Sequence, residues 1–204
     1  MPLTLQIFSD YVCPFCLLAK APLDAILPEF PDLEIEWMPF ELRPFPTPTL
    51  RPEDPYLPQI WAQSVYPMAA RLGVEIKLPS ISPQPYTHLA FEGFQHAKPF
   101  GKTVGNAYNE RILRAFFVEN RDIGDVEVLS ELAQEVGAGE GFREALERAA
   151  TAKRTKRRCD TRRKLVLNPS RRWCWAIAAS RACKARRRCG GLSRWRRKRL
   201  DKLK

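Results

Sequence analysis

The chain has 204 residues and a formal net charge of +11, but that charge is unevenly spread. Residues 1–150 carry 12 Lys/Arg against 21 Asp/Glu, a net of −9, whereas residues 151–204 carry 22 Lys/Arg against 2 Asp, a net of +20. The overall basicity therefore describes the last quarter alone, which excludes reading the earlier part as a nucleic-acid binder on charge.

That earlier part holds all 11 Phe and all 5 Tyr, enough apolar material for a core. No run approaches the roughly 18 consecutive apolar residues of a membrane helix, so no span is expected. The start "MPLTLQIFSD" has no basic stretch ahead of a long apolar one, so it does not read as a secretory signal. The expected compartment is the reducing cytoplasm, where paired cysteines are more often catalytic or metal-binding than structural.

Taken in chain order, Leu3, Leu5 and Ile7 alternate with Thr4, Gln6 and Phe8 and predict a first strand, closed by Ser9-Asp10. Pro14 to Leu27 reads as a helix, with Leu17, Leu18, Ala21, Ala25 and Ile26 at helical spacing. Pro22 lies inside it and should kink it, because proline lacks an amide and crowds the preceding turn. "LEIEWMPF" alternates again and predicts a second strand. Strand, helix and strand within about forty residues form a βαβ unit, normally right-handed and parallel.

"LRPFPTPTLRPEDPYLP" is proline-dense and is expected to be an extended connection. Helices are then predicted over Gln59–Leu72, stopped by Gly73, and over His88–Lys98 with Thr87 as N-cap. Further helices are predicted over Val104–Glu119, over Val126–Val136 between Asp125 and Gly137, and from Gly141. The expected organisation is a βαβ unit in residues 1–50, a helical block in 51–150, and a basic tail in 151–204.

The stretch "SDYVCPFCLLAK" places Cys13 and Cys16 three apart. With Cys13 at the N-cap, Pro14 falls on the first helical position, where its missing amide costs nothing. Cys16 then sits one turn on and on the same side. Open amides at a helix start favour an anion, so a Cys13 thiolate would be stabilised and its pKa lowered. Cys16 becomes the natural resolving thiol. Two other readings stay open. Half a zinc site needs a second ligand pair, and Cys159, Cys174, Cys183 and Cys189 are irregularly spaced. Inert core thiols are the other. His88 and His96 are weighed as acid–base groups, with packing or surface roles the commoner outcome.

"FSDYVCPFC", "IEWMPFELRP", "PYTHLAFEGFQHAKPFGK" and "NAYNERILRAFFVENRDIGDVEVLSELAQEVG" together resemble the DsbA-like thioredoxin-fold proteins, in particular their cytosolic FrnE-like branch. The resemblance covers roughly residues 3–148. It implies an α/β thioredoxin-like fold with an inserted helical domain, and dithiol–disulfide chemistry with Cys13 as nucleophile and Cys16 resolving. Strong oxidants of this family carry Pro-His between the cysteines. Here Pro14 and Phe15 stand there, and Phe15 offers neither donor nor charge, so a weaker oxidant is expected. Glutathione disulfide or a disulfide-containing protein is the expected partner. Neither metal nor other cofactor is called for.

The family fold closes with further strands, one preceded by a cis-proline facing the cysteines. After Ala150 the chain instead becomes Arg-rich, with "KLVLN" its one strand-like piece. Three readings compete: codons read out of frame, a nucleic-acid-binding tail in which Trp173, Trp175 and Trp195 stack on bases, or a basic tail of other use. The alternative to an enzyme is thus a non-catalytic protein whose tail binds nucleic acid or acidic surfaces.

Overall fold

Two strands open the architecture, and both form where the apolar alternation predicts them. In the computed structural model, which describes residues 3–147, β1 (Leu3–Ser9) pairs in parallel with β2 (Leu33–Pro39). The register runs from Leu3 opposite Leu33 to Ser9 opposite Pro39, which sets Ile7 beside Trp37 on the buried face. On the other face Gln6 donates to Glu36 at 2.8 Å. The crossover is α1 (Pro14–Ile26), followed by a single 3₁₀ turn at Leu27–Glu29. α1 runs uninterrupted through Pro22 and buries Cys16, Leu17, Leu18 and Leu23.

The proline-dense segment ends sooner than expected. α2 (Tyr56–Ile60) already contains Pro58, which falls in the first turn where a helix has no use for an amide donor. The chain then widens into a π turn at Trp61–Val65 before α3 (Tyr66–Leu72). Pro67 explains the widening: it cannot supply the amide an α turn requires, and the amide of Tyr66 bonds instead to the carbonyl of Trp61, five residues back. Gly73 ends the helix in the left-handed conformation at φ 66°.

α4 (His88–Ala97), α5 (Lys102–Phe117), α6 (Val126–Glu135) and α7 (Phe142–Glu147) follow. Asp125 caps α6 with its side chain, accepting from the amides of Glu127 and Val128. Thr87 does not cap α4 in this way: it holds the N-cap position, but its side chain makes no capping hydrogen bond and turns toward Asp10 instead.

One hydrophobic cluster joins the βαβ unit to the helices, running from Ile7 and Leu18 through Trp61, Phe91, Tyr108, Phe116 and Phe117 to Phe142 and Leu146. Gly93 permits a close approach within it. A Cβ there would lie 2.2 Å from the Tyr108 hydroxyl and 2.5 Å from Phe142, so α4 meets α5 and α7 across a bare backbone. Lys20 of α1 bridges to Glu110 of α5 at 3.1 Å. The Arg-rich segment 151–204, its possible strand Lys164–Asn168 and the expected loss of the closing strands and cis-proline lie outside the described residues. No helix among the described residues is long and apolar enough to cross a membrane.

Candidate active site

The end of β1 delivers the chain into a tight turn, with the amide of Cys13 bonded to the carbonyl of Asp10 at 3.2 Å. Cys13 takes the N-cap of α1 in extended geometry, at φ −93° and ψ 109°, and Pro14 is the first helical residue. The amide of Cys16 bonds to the Cys13 carbonyl at 3.0 Å, which brings the second thiol round to the first. Both cysteines are free and buried, each 7% exposed. Phe15 and Cys16 share an apolar groove with Phe8, Ala19, Leu23 and Trp37.

The two thiols polarise each other. A hydrogen bond from Cys16 is the largest influence drawing the Cys13 pKa below its ordinary value. Burial opposes it, and the backbone amides of Cys16 and Phe15 assist. The same hydrogen bond, followed by burial and the charge of Cys13, holds Cys16 far above its ordinary value. One sulfur is thus readied as thiolate and its partner kept as thiol.

Asp10 lies directly behind this pair. It is 2% exposed, and burial raises its carboxyl from 3.8 to about 6. The Leu42 amide donates to Oδ2 at 2.6 Å. The Thr87 hydroxyl and the Val12 amide also lower the pKa, yet Oδ1 remains without a hydrogen bond. The charge of Asp10 raises the pKa of both cysteines, so it restrains the very ionisation that the helix start favours.

His88 joins the loop after β2 to α4. Its Nδ1 lies 3.1 Å from Glu41 and its Nε2 2.9 Å from Glu92, with Glu92 almost wholly buried. Hydrogen bonding to Glu41, then to Glu92, raises its pKa to about 9. Only the imidazolium donates from both nitrogens, so near neutrality His88 is a cation clamped between two carboxylates. These carboxylates sit on opposite sides of the ring and do not converge on a point. Among the described residues no group of three His, Cys, Asp or Glu side chains is placed to hold a metal ion. His96 bonds to the Glu140 carbonyl at 2.9 Å and packs edge-on against Phe142, a structural role.

The site therefore brings together Cys13, Pro14, Phe15 and Cys16, and adds Asp10, Thr87, Leu42 and the Glu41–His88–Glu92 cluster. The sequence signal for Asp10 was an acid in the turn directly after a strand, three residues before a helix-capping cysteine. For His88 it was a histidine opening a helix, with Glu92 one turn on. Tyr11 fastens the turn to the helices: it is fully buried, and its ring lies 4.6 Å from that of Phe91.

A parallel βαβ unit whose helix opens on a cysteine pair defines a thioredoxin-like fold. The chain belongs to the DSBA-like thioredoxin domain family, whose profile matches residues 4–166 and so runs past the change of composition at Ala150. The uncharacterized protein YwbO of Bacillus subtilis is 50% identical over 149 residues, which span 72% of this chain and 73% of that protein. The cytosolic disulfide reductase DsbM from Pseudomonas aeruginosa shares the fold at a TM-score of 0.63 and 24% identity, over 80% of this chain and 78% of DsbM. DsbM solved with GSH gives a TM-score of 0.55, at 24% identity over 80% of this chain and 79% of that one. The probable DsbA oxidoreductase SCO1869 from Streptomyces coelicolor gives 0.64 at 23% identity, over 80% of this chain and 76% of that protein.

Proposed function

We propose that the protein is a cytoplasmic thiol–disulfide oxidoreductase acting through Cys13-Pro14-Phe15-Cys16, as a FrnE-like member of its family. The observation that carries this reading is the placement of two buried, free cysteines one turn apart at the opening of α1, Cys13 at its N-cap, with the pKa of Cys13 drawn down and that of Cys16 pushed up. The cytosolic disulfide reductase DsbM, which has also been solved with GSH, supports the compartment and makes glutathione disulfide a natural small substrate beside protein disulfides.

The Cys13 thiolate attacks one sulfur of the substrate disulfide, forming a mixed disulfide and expelling the other half as a thiolate that takes up a proton. Cys16 then gives up its proton and attacks the Cys13 sulfur. The Cys13–Cys16 disulfide forms, and the second half of the substrate leaves as a thiol. The substrate gains two electrons and the dithiol loses them, so an external reductant restores the enzyme: two glutathione thiols where the substrate is a protein disulfide, and a different thiol such as dithiothreitol where it is glutathione disulfide. No further cofactor enters this cycle. Residues 1–50 supply the redox pair, and the helical block in 51–150 supplies Thr87, His88 and Glu92 behind it.

Turnover of glutathione disulfide or insulin by the full chain, abolished by Cys13→Ser, is the expected result. Cys16→Ser should instead accumulate the mixed disulfide, visible as added mass. Turnover that persists in Cys13→Ser would overturn the assignment.

A further inference from the structure

Asp10 is joined to both cysteines through its own backbone. Its carbonyl accepts the Cys13 amide at 3.2 Å, and its amide donates to the Cys16 sulfur. All three residues lie in the short stretch 10–16 and all three are buried. The carboxylate and the two sulfurs therefore share surroundings that screen charge poorly. The carboxyl is held from two sides, by the Leu42 amide after β2 and by the Thr87 hydroxyl ahead of α4. Neither of these is a counter-charge.

The charged and titratable groups around Asp10 do not neutralise it. Glu41, from the segment after β2, carries the same sign and adds to the repulsion. His88 at the start of α4 is a cation, but Glu41 and Glu92 hold it from both sides. Arg43 is exposed, with Nη1 donating to the Pro48 carbonyl at 3.2 Å. Tyr11, next in the turn, is fully buried, and burial keeps its hydroxyl protonated well above the usual range. The Cys13 sulfur is the neighbour whose charge changes with redox state.

Oxidation of the pair removes two electrons, the negative charge on Cys13 and the proton on Cys16, and leaves a neutral disulfide. An ionised Asp10 opposes the reduced pair by repulsion and leaves the disulfide untouched. Resting on the oxidoreductase reading, we propose that Asp10 is a positioning residue that sets the direction of electron flow. Its carboxylate, acting through Cys13, biases the pair toward giving electrons to disulfides, and its protonation lifts that bias. The two electrons pass to the substrate disulfide, which takes the Cys16 proton and one from solvent and leaves as two thiols. With the cysteines free, burial places the carboxyl at about 6, so the bias operates above mildly acidic pH.

Equilibrating the full chain with glutathione redox buffers tests this. Asp10→Asn removes the charge while keeping the side chain's shape and an acceptor for the Leu42 amide. At pH 7.5 it should shift the equilibrium roughly tenfold toward the dithiol, a rise of about 30 mV. At pH 5, where most wild-type carboxyl is already protonated, the two proteins should agree within about twofold. The linkage is reciprocal, so wild type alone provides a second reading. Followed by carboxyl-carbon NMR, Asp10 should titrate about one pH unit lower in the disulfide form than in the reduced form.

Equal Asp10 titrations in the two forms, or an Asp10→Asn equilibrium within about twofold of wild type at pH 7.5, overturn the assignment and leave the oxidoreductase standing. A carboxyl that served packing alone would alter unfolding without moving the glutathione equilibrium. A wild-type pair that exchanges with neither glutathione disulfide nor insulin removes the oxidoreductase reading, and this inference with it.

Discussion

Oδ2 of Asp10 accepts the backbone amide of Leu42 at 2.6 Å, across 32 residues of chain. The bond ties the turn after β1, which leads into Cys13, to the segment after β2. Its acceptor is a carboxylate that burial keeps hard to ionise, and stability pays for that position.

Removing this charge should stabilise the protein. The carboxyl rises from 3.8 to about 6, so between those values the folded state holds a proton that the unfolded chain has released, and stability falls as pH rises. Above about 6 the cost is fully present, up to about 3 kcal/mol for such a shift. Asn keeps the acceptor for Leu42 but buries an amide of its own, which reduces the gain. Asp10→Asn is expected to add about 1–2 kcal/mol at pH 7.5 and nothing at pH 3, measured by urea unfolding. Equal effects at the two pH values would contradict the assignment.

His88 acts in the opposite sense. Its folded pKa of about 9 exceeds the ordinary 6.5, so its ion pairs with Glu41 and Glu92 contribute fully below 6.5 and fade as pH climbs through 9. The difference in unfolding midpoint between wild type and His88→Gln should therefore shrink from pH 6 to pH 9.5. The cysteines titrate in both proteins and largely cancel. The imidazole is part-exposed, so the effect is expected at the modest end for an ion pair.

Cys13 should alkylate with iodoacetamide at a midpoint below that of a free thiol, while Cys16 stays unreactive through the same range. Cys16→Ala removes the foremost influence on Cys13 and should raise its midpoint; Cys16→Ser keeps a donor and should raise it less. Burial and Asp10 both oppose ionisation, and Phe15 contributes no donor, so a midpoint near pH 4 is not expected.

Phe15→His should add a donor beside the thiolate and make the protein more oxidising. A rise of roughly 30 mV corresponds to about tenfold in the thiol–disulfide equilibrium. Equilibration against glutathione would report it, and an unchanged potential would remove Phe15 from the tuning of the pair.

Gly93→Ala tests the packing beneath the site. The added methyl would overlap the Tyr108 hydroxyl and the Phe142 ring, both held in the core. A loss of about 1–3 kcal/mol is expected, with the Cys13 alkylation midpoint unmoved.

What the sequence settled by itself is local. Alternation over Leu3–Ser9 and Leu33–Pro39, a helix opening at Pro14, the cap at Asp125 and the stop at Gly73 are each encoded within a few residues. Neighbouring backbone and side chains decide them, and the position of Cys13 at the start of α1 belongs with them. The π turn around Trp61 was also written locally, in Pro67, though the plain helical periodicity hid it. Tertiary structure alone decided which distant groups meet: Asp10 with Leu42, His88 with Glu41 across 47 residues, and Thr87 turned from capping its own helix toward a buried carboxylate. No periodicity marks such pairs, because they arise only when the start of α4 meets the segments that follow the two strands and Asp10 is buried there.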